Sequence, residues 1–148
     1  MGDRERRLEA RLHQQIPLTR AVGIEVVRYS GSSLVLRAPL APNVNHEQTV
    51  FGGSLYSVAV LAGWGLMVLV LEDQQLDGHI VIQHSEIAYL HPVECDFEAC
   101  STLPDPEELD QFLKMVTRKG KGRLRLQTLI GPADNPAVRF TGSFVVQT

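Results

Sequence analysis

The feature that most constrains this fold is an uncharged stretch, SLYSVAVLAGWGLMVLVL, at residues 54–71. Its 18 residues reach the lower limit for crossing a membrane. However, the stretch contains serines and glycines, and acidic Glu72 and Asp73 follow it without a basic flank. A helix that is apolar on every side is also typical of a protein core. We therefore expect a buried helix and no insertion into a membrane.

Segments with helix or strand periodicity flank this stretch on both sides. Before it, leucines spaced four apart predict an amphipathic helix, and two β-branched segments joined by a serine–glycine turn predict a hairpin. After it, four strands are predicted, with a further helix that opens on a capping Asp105 and Pro106. The predicted helices are 3–15, 54–71 and 105–119, and the predicted strands are 23–29, 34–40, 79–91, 94–103, 123–130 and 136–147.

This order predicts an α+β architecture in which an antiparallel β-sheet wraps around one long apolar central helix. It is the order of the hotdog fold. The length of 148 residues, without repeats or linkers, predicts a single hotdog domain over 1–148. Hotdog proteins usually join their sheets edge to edge, which covers an edge strand that would otherwise invite aggregation. We therefore expect a homodimer or a dimer of dimers.

Charge and cysteine content exclude several classes of protein. The net charge of -3 argues against nucleic-acid binding, which needs a strongly basic surface. The charged N-terminal segment lacks the features of a secretory signal, so we expect a cytoplasmic protein. Cys95 and Cys100 form neither a disulfide framework nor a metal motif, and the five histidines lack metal-ligand spacing. We expect no bound metal.

A polar loop followed by two glycines stands immediately before the long helix. A helix N-terminus offers unpaired backbone N–H groups and a partial positive charge, and glycines let a substrate approach them closely. Such a cradle suits a thioester carbonyl that becomes an oxyanion. The alternative is a simple helix cap, in which Ser54 or Thr49 satisfies the N–H groups. The candidate residues are Asn45, His46, Thr49, Phe51, Gly52, Gly53 and Ser54.

The segment NHEQTVFGGSLYSV, preceded by HQQIPLTRAVGIEV and followed by IAYLHPV, resembles a bacterial hotdog family. That family was first catalogued as the thioesterase-like domain behind an acetyltransferase in YiiD-type proteins. Free-standing chains of this length resemble the malonyl-acyl-carrier-protein decarboxylases. The resemblance implies conversion of malonyl- to acetyl-acyl carrier protein, the primer of fatty acid synthesis. It implies no cofactor, since the phosphopantetheine arm belongs to the substrate, and coenzyme A could replace the carrier.

The chemistry of the two glycines and their loop leaves three functions open. Hotdog thioesterases typically use an acid in the loop or on the central helix, whereas residues 54–71 hold none and Glu47 is the only carboxylate in the loop. Decarboxylation needs neutral donors, with the Gly53 N–H, and Ser54 beside it, holding the enolate oxygen. Asn45 would orient the malonyl carboxylate or share in the oxyanion hole, and His46 would protonate the enolate carbon or hold a water that does so. The alternatives are a thioesterase that uses Glu47 and a non-catalytic dimer that binds acyl thioesters.

Two further groups are candidates outside the loop. Gln83 and Ser85, two apart on a predicted strand, are expected to share a face and reach a substrate pocket, with a solvent-facing strip as the alternative. The basic run RKGKGRLR is expected to dock an acidic acyl carrier protein or the phosphates of coenzyme A, with a solvated turn as the alternative. The docking candidates are Arg118, Lys119, Lys121 and Arg123.

Overall fold

A computed structural model describes residues 2–148 and shows a six-stranded antiparallel sheet wrapped around one long helix. The strand order is β1-β2-β4-β5-β6-β3, so β1 and β3 form the two edges. This is the predicted α+β architecture. The helices are α1 (Asp3–Gln15), α2 (Leu18–Val22), α3 (Gly52–Asp73) and α4 (Pro106–Lys119). The strands are β1 (Glu25–Tyr29), β2 (Ser33–Ala38), β3 (His79–Tyr89), β4 (Phe97–Thr102), β5 (Lys121–Ile130) and β6 (Val138–Gln147).

The long helix α3 forms the centre of the hydrophobic core, as expected. Its most apolar 18-residue window is 72% buried, so the one helix of membrane-spanning length among residues 2–148 is covered by protein. Gly63 allows this close packing. A Cβ atom at Gly63 would lie 2.6 Å from the ring of Phe144, a fully buried side chain on β6. The small residues inside the apolar stretch therefore bring helix and sheet together.

Several element boundaries differ from the prediction. The helix α3 begins at Gly52 and includes Glu72 and Asp73, because both glycines already adopt helical conformation. The short helix α2 was not predicted, since its five residues are too few to show a periodicity; it ends at Gly23 with a φ of 82°. The strand β4 begins at Phe97, three residues later than predicted.

The helix α4 covers the part of β5 that has no partner strand on one side. Only the second half of β5 pairs with β4, whereas all of β5 pairs with β6. Phe112 and Val116 of α4 pack over Gly122 in the unpaired half, where a Cβ atom would lie 2.7 Å from Val116. The predicted caps are confirmed, since Asp105 accepts from the N–H of Glu108 at 2.9 Å and Gly120 has a φ of 71°.

The edge strand β3 contains a bulge that corrects one prediction. The pairing of β3 with β6 shifts between Ile82 and His84, so Gln83 is the extra residue. A bulge reverses the alternation of faces beyond it. Ser85 therefore faces α3, whereas Gln83 lies on the outer face of the sheet. The expectation that these two residues share a face is wrong, because the register shift changes the alternation between them.

Candidate functional site

The loop before α3 is held in place by one buried side chain, Asn43. Its Nδ2 atom donates to the carbonyl oxygens of Val22, at 2.9 Å, and Pro39, at 2.7 Å. Its own carbonyl accepts from the N–H of Phe51 at 2.7 Å. Asn43 is 3% exposed, and a buried amide of this kind is stable only when its polar atoms are paired. Asn43 therefore fixes the point where the loop enters α3.

Asn45 closes the tip of this loop through its own side chain. The Oδ1 atom accepts from the N–H groups of Glu47, at 2.8 Å, and Thr49, at 3.1 Å, and Nδ2 donates to the Thr49 hydroxyl at 2.8 Å. Gln48 takes the positive φ, 65°, that the tight turn requires. Asn45 is thus committed to the shape of the loop, and one Nδ2 hydrogen is left for any further partner.

His46 and Glu47 project from the tip of the loop into solvent. Their side chains are 85% and 74% exposed, and His46 Nε2 lies 3.5 Å from Glu47 Oε1. This places the predicted proton donor and the only loop carboxylate beside each other, at the surface. The catalytic roles of His46 and Glu47 stay predictions.

The first turn of α3 leaves two backbone donors unused. The N–H groups of Gly52 and Gly53 have no acceptor among residues 2–148, and no side chain caps the helix. The capping alternative, with Ser54 or Thr49 as the cap, is therefore wrong. The Ser54 N–H, expected to act with Gly53, already donates to the Phe51 carbonyl at 2.9 Å. The free pair is Gly52 and Gly53.

Three hydroxyl groups lie between α3 and β3, and Ser85 is the only one of them among the predicted site residues. Tyr56 and Ser85 share a hydrogen bond of 2.5 Å. The Tyr89 hydroxyl donates to the Gly52 carbonyl at 3.0 Å. Burial raises the pKa of Tyr89, and the neighbouring Tyr56 raises it further. Tyr56 is four residues after Gly52 and shares its helix face, a spacing that could have revealed it.

A cleft of about 340 Å³ opens beside the first turn of α3. Thr49 and Gly52 line it from the helix side, and Tyr89, Leu90 and Pro92 line it from the end of β3. Of the predicted site residues, the structure brings Thr49 and Gly52 to this cleft. The exposed ring of Phe51, 57% accessible, lies over Gly53 just outside it.

No Asp or Glu is among the residues that line this cleft. Glu72 and Asp73 stand at the far end of α3, about 30 Å from Gly52 at 1.5 Å per residue. Asp73 is engaged there, since it pairs with Arg4 and accepts the Tyr29 hydroxyl at 2.7 Å. Among residues 2–148, no group of three or more His, Cys, Asp or Glu side chains gathers as a metal site would require. The polar side chains that line the cleft are those of Thr49, Tyr89 and His91.

The remaining predicted residues lie at the opposite end of the sheet. Gln83 accepts a hydrogen bond from Arg123 at 3.2 Å on the outer face. Arg118 and Lys119 end α4, and Lys121 begins β5, so the basic residues do form one surface cluster. Within residues 2–148, these four basic side chains make no ion pair. Their charge is therefore free to act on a partner.

Comparison with known proteins agrees with this fold. A family model described as "Putative thioesterase (yiiD_Cterm)" matches residues 5–148. A protein of unknown function from Chlorobaculum tepidum TLS has a TM-score of 0.92 and 33% identity, with 97% of this chain and 94% of that chain covered. A Shewanella oneidensis protein described as a putative thioesterase has a TM-score of 0.87 and 28% identity, with 100% of both chains covered.

A more distant structure shows the fold alone. It is PA5026 of Pseudomonas aeruginosa, described as a probable thioesterase of unknown function, with a TM-score of 0.80 and 17% identity over 95% of this chain and 93% of that chain. The architecture is that of a hotdog protein. The chain belongs to the YiiD_C family, which is described as a putative thioesterase family.

Proposed function

We propose that this protein decarboxylates malonyl-acyl carrier protein to acetyl-acyl carrier protein, the primer for fatty acid synthesis. The observation that carries the proposal is the pair of free N–H groups at Gly52 and Gly53, beside a cleft whose lining contains no carboxylate. These donors would hold the thioester oxygen as it gains negative charge. A single donor of this kind contributes about 10²–10³ in rate.

The reaction balances without a cofactor. The bond between the carboxylate carbon and the α carbon breaks, and its electron pair moves into the thioester to form an enolate while CO2 leaves. One proton then adds to the α carbon and gives the acetyl thioester. A neutral, partly desolvated site favours this step, because it stabilises the spread charge of the enolate better than the localised charge of the carboxylate.

Hydrolysis of an acyl thioester is the second candidate. The residue that supports this candidate is Glu47, the only carboxylate in the loop, which would serve as the base that activates water. The Glu47 side chain is 74% exposed, lies 3.5 Å from His46 and is not among the residues that line the cleft. This arrangement favours decarboxylation. A non-catalytic dimer that binds acyl thioesters is the third reading.

A homodimer joined through the β3 edges fits this function. The strand β3 has 11 residues, bonds only to β6, and carries the exposed side chains of Val81 and Tyr89. Antiparallel pairing of two such edges would bring the start of one β3 beside the end of the other. The basic cluster lies two strands from this edge, about 10 Å at the usual strand spacing. It would thus lie near the partner's cleft.

We propose that this cluster docks the acyl carrier protein, or the phosphates of coenzyme A. Exposed charges of this kind mainly accelerate association and lose their effect in salt. Reversal of Lys119, Lys121 and Arg123 to glutamate should therefore raise KM at low salt and leave kcat unchanged. A fall in kcat would instead indicate that the cluster belongs to the reacting site. The control is reversal of Arg139, which lies elsewhere on the outer face.

Mass spectrometry of the carrier protein after incubation with malonyl-acyl carrier protein tests the main proposal. Acetyl-carrier protein is the expected product. Free holo-carrier protein would refute decarboxylation and support the thioesterase, and Glu47→Gln would then abolish its formation. In a decarboxylase, Glu47→Gln should keep most of its activity. An unchanged malonyl species, with binding retained, would support the non-catalytic dimer.

A further inference from the structure

We propose that the Tyr56–Ser85 hydroxyl pair supplies the proton that converts the enolate into the acetyl product. This inference rests on the proposed decarboxylation and deepens it. Sequence reasoning had given the proton to His46, whose ring is exposed at the tip of the loop. The hydroxyl pair instead lies between α3 and β3, close to the end of α3 that carries the free N–H groups.

The register between α3 and β3 places the pair one helical turn from Gly52. Gly52 and Tyr56 are one helical turn apart on α3, and Tyr89 and Ser85 are four residues apart on β3. Tyr89 contacts Gly52, and Ser85 contacts Tyr56. The pair is thus one turn, about 6 Å, from the glycines, and helical side chains lean toward the N-terminus.

The hydrogen-bond count leaves the pair with a proton to give. Tyr56 and Ser85 hold two hydroxyl hydrogens and spend one on their mutual bond, and neither side chain has another partner among residues 2–148. By contrast, the hydroxyls of Tyr89 and Ser57 are spent on the carbonyls of Gly52 and Gly53. One hydroxyl hydrogen of the Tyr56–Ser85 pair therefore stays available to a further acceptor.

Acidity selects Tyr56 as the donor within the pair. A phenol is a much stronger acid than an aliphatic alcohol, so it loses a proton to a carbanion more readily. The Tyr56 proton would move to the α carbon, and the Ser85 hydroxyl would donate to the phenolate left behind. A proton from water then restores the phenol. The edge-on contact of Tyr56 with Phe140, 5.6 Å between centroids, holds the ring in place.

Incubation with malonyl-carrier protein in 13C-labelled bicarbonate, followed by mass spectrometry of product and recovered substrate, tests this role. Tyr56→Phe should lower acetyl formation on the order of 10²-fold, the usual contribution of a general acid, with KM unchanged. Its longer-lived enolate should also recapture labelled CO2, so 13C appears in the recovered malonyl group. Ser85→Ala should lower the rate about tenfold, as expected for a lost hydrogen bond to a charged group.

Tyr29→Phe is the matched control, because Tyr29 contacts Asp73 at the far end of α3. Tyr29→Phe should form acetyl-carrier protein at the wild-type rate, with no 13C in the recovered malonyl group. Two results would overturn the assignment to Tyr56. Either Tyr56→Phe forms acetyl-carrier protein at the wild-type rate, or its rate falls but no 13C appears in the recovered malonyl group. If the wild-type protein releases holo-carrier protein, no carbanion forms, and both this assignment and the proposed function fall. If the wild-type protein does form acetyl-carrier protein, a negative result for Tyr56→Phe refutes only the assignment to Tyr56 and leaves the proposed function intact.

Discussion

Replacement of Gly53 by alanine should separate activity from stability. An ideal Cβ atom at this position would lie 2.4 Å from Phe51 Cε2 and 3.1 Å from Cδ2 and Cζ. Carbon atoms prefer separations of about 3.5–4.0 Å, so the ring must retreat by about 1 Å. The new methyl group and the displaced ring would then crowd the approach to the free N–H group. We expect kcat/KM to fall on the order of 10²-fold, as for the loss of one oxyanion donor.

The same substitution should leave the fold intact. Phe51 is 57% exposed, so movement of its ring costs little packing. Alanine is also favoured over glycine in helices by up to about 1 kcal/mol, which corresponds to a melting temperature higher by no more than about 2–4 °C. Acetyl formation followed by mass spectrometry gives kcat/KM, and thermal denaturation gives the melting temperature.

Gly63→Ala provides the contrasting control in the middle of the same helix. Its Cβ atom would meet the buried Phe144 ring at 2.6 Å, and that ring has no room to retreat. Overpacking costs about 1–3 kcal/mol, so the melting temperature should fall while kcat/KM at 25 °C is kept. If Gly53→Ala retains wild-type kcat/KM and an unchanged melting temperature, the Gly53 N–H does not bind the thioester oxygen.

Three further substitutions probe the loop and the far end of α3. Asn43→Ala should lower the free energy of unfolding by about 2–4 kcal/mol, because two buried carbonyls lose their donor, and the melting temperature measures it. Asn45→Ala should lower turnover about tenfold or more through misplacement of the loop, with little change in melting temperature. Tyr29 has its pKa raised, by burial and then by Asp73, above its ordinary value of 10.0. The folded state thus keeps a proton that the unfolded state loses above pH 10, so stability should fall there as pH rises, and less steeply in Tyr29→Phe.

The order of the elements could be predicted because it depends on local patterns. The apolar run of α3 needs cover on every side, and a sheet of strands alternating like β5 provides it. The caps of α4 depend on Asp105 and Gly120, whose roles are set within one turn. Such features need no knowledge of distant partners, so composition and spacing are sufficient to locate them.

The details of the site depend on distant partners and could not be predicted in the same way. The bulge at Gln83 arises from the register between β3 and β6, and no glycine or proline marks it. Asn43 resembles any loop asparagine until its partners, the carbonyls of Val22 and Pro39, are placed around it. The Tyr56–Ser85 bond joins residues 29 positions apart. Each of these features results from tertiary packing.

Gly52 and Gly53 have N–H groups without an acceptor among residues 2–148, but both of their carbonyl groups accept hydrogen bonds from hydroxyl groups. Glycine gains access for a substrate at the cost of a mobile backbone, and a mobile donor stabilises charge poorly, because it must reorganise during the reaction. Here the Gly52 carbonyl accepts from Tyr89 and the Gly53 carbonyl accepts from Ser57, at 3.0 and 2.9 Å. The Gly52 carbonyl belongs to the same peptide unit as the Gly53 N–H, so Tyr89 restrains this free donor directly, whereas Ser57 restrains the peptide unit that follows it. Loss of the Tyr89 hydroxyl should thus reduce the stabilisation of the oxyanion even though this hydroxyl does not bind the thioester oxygen.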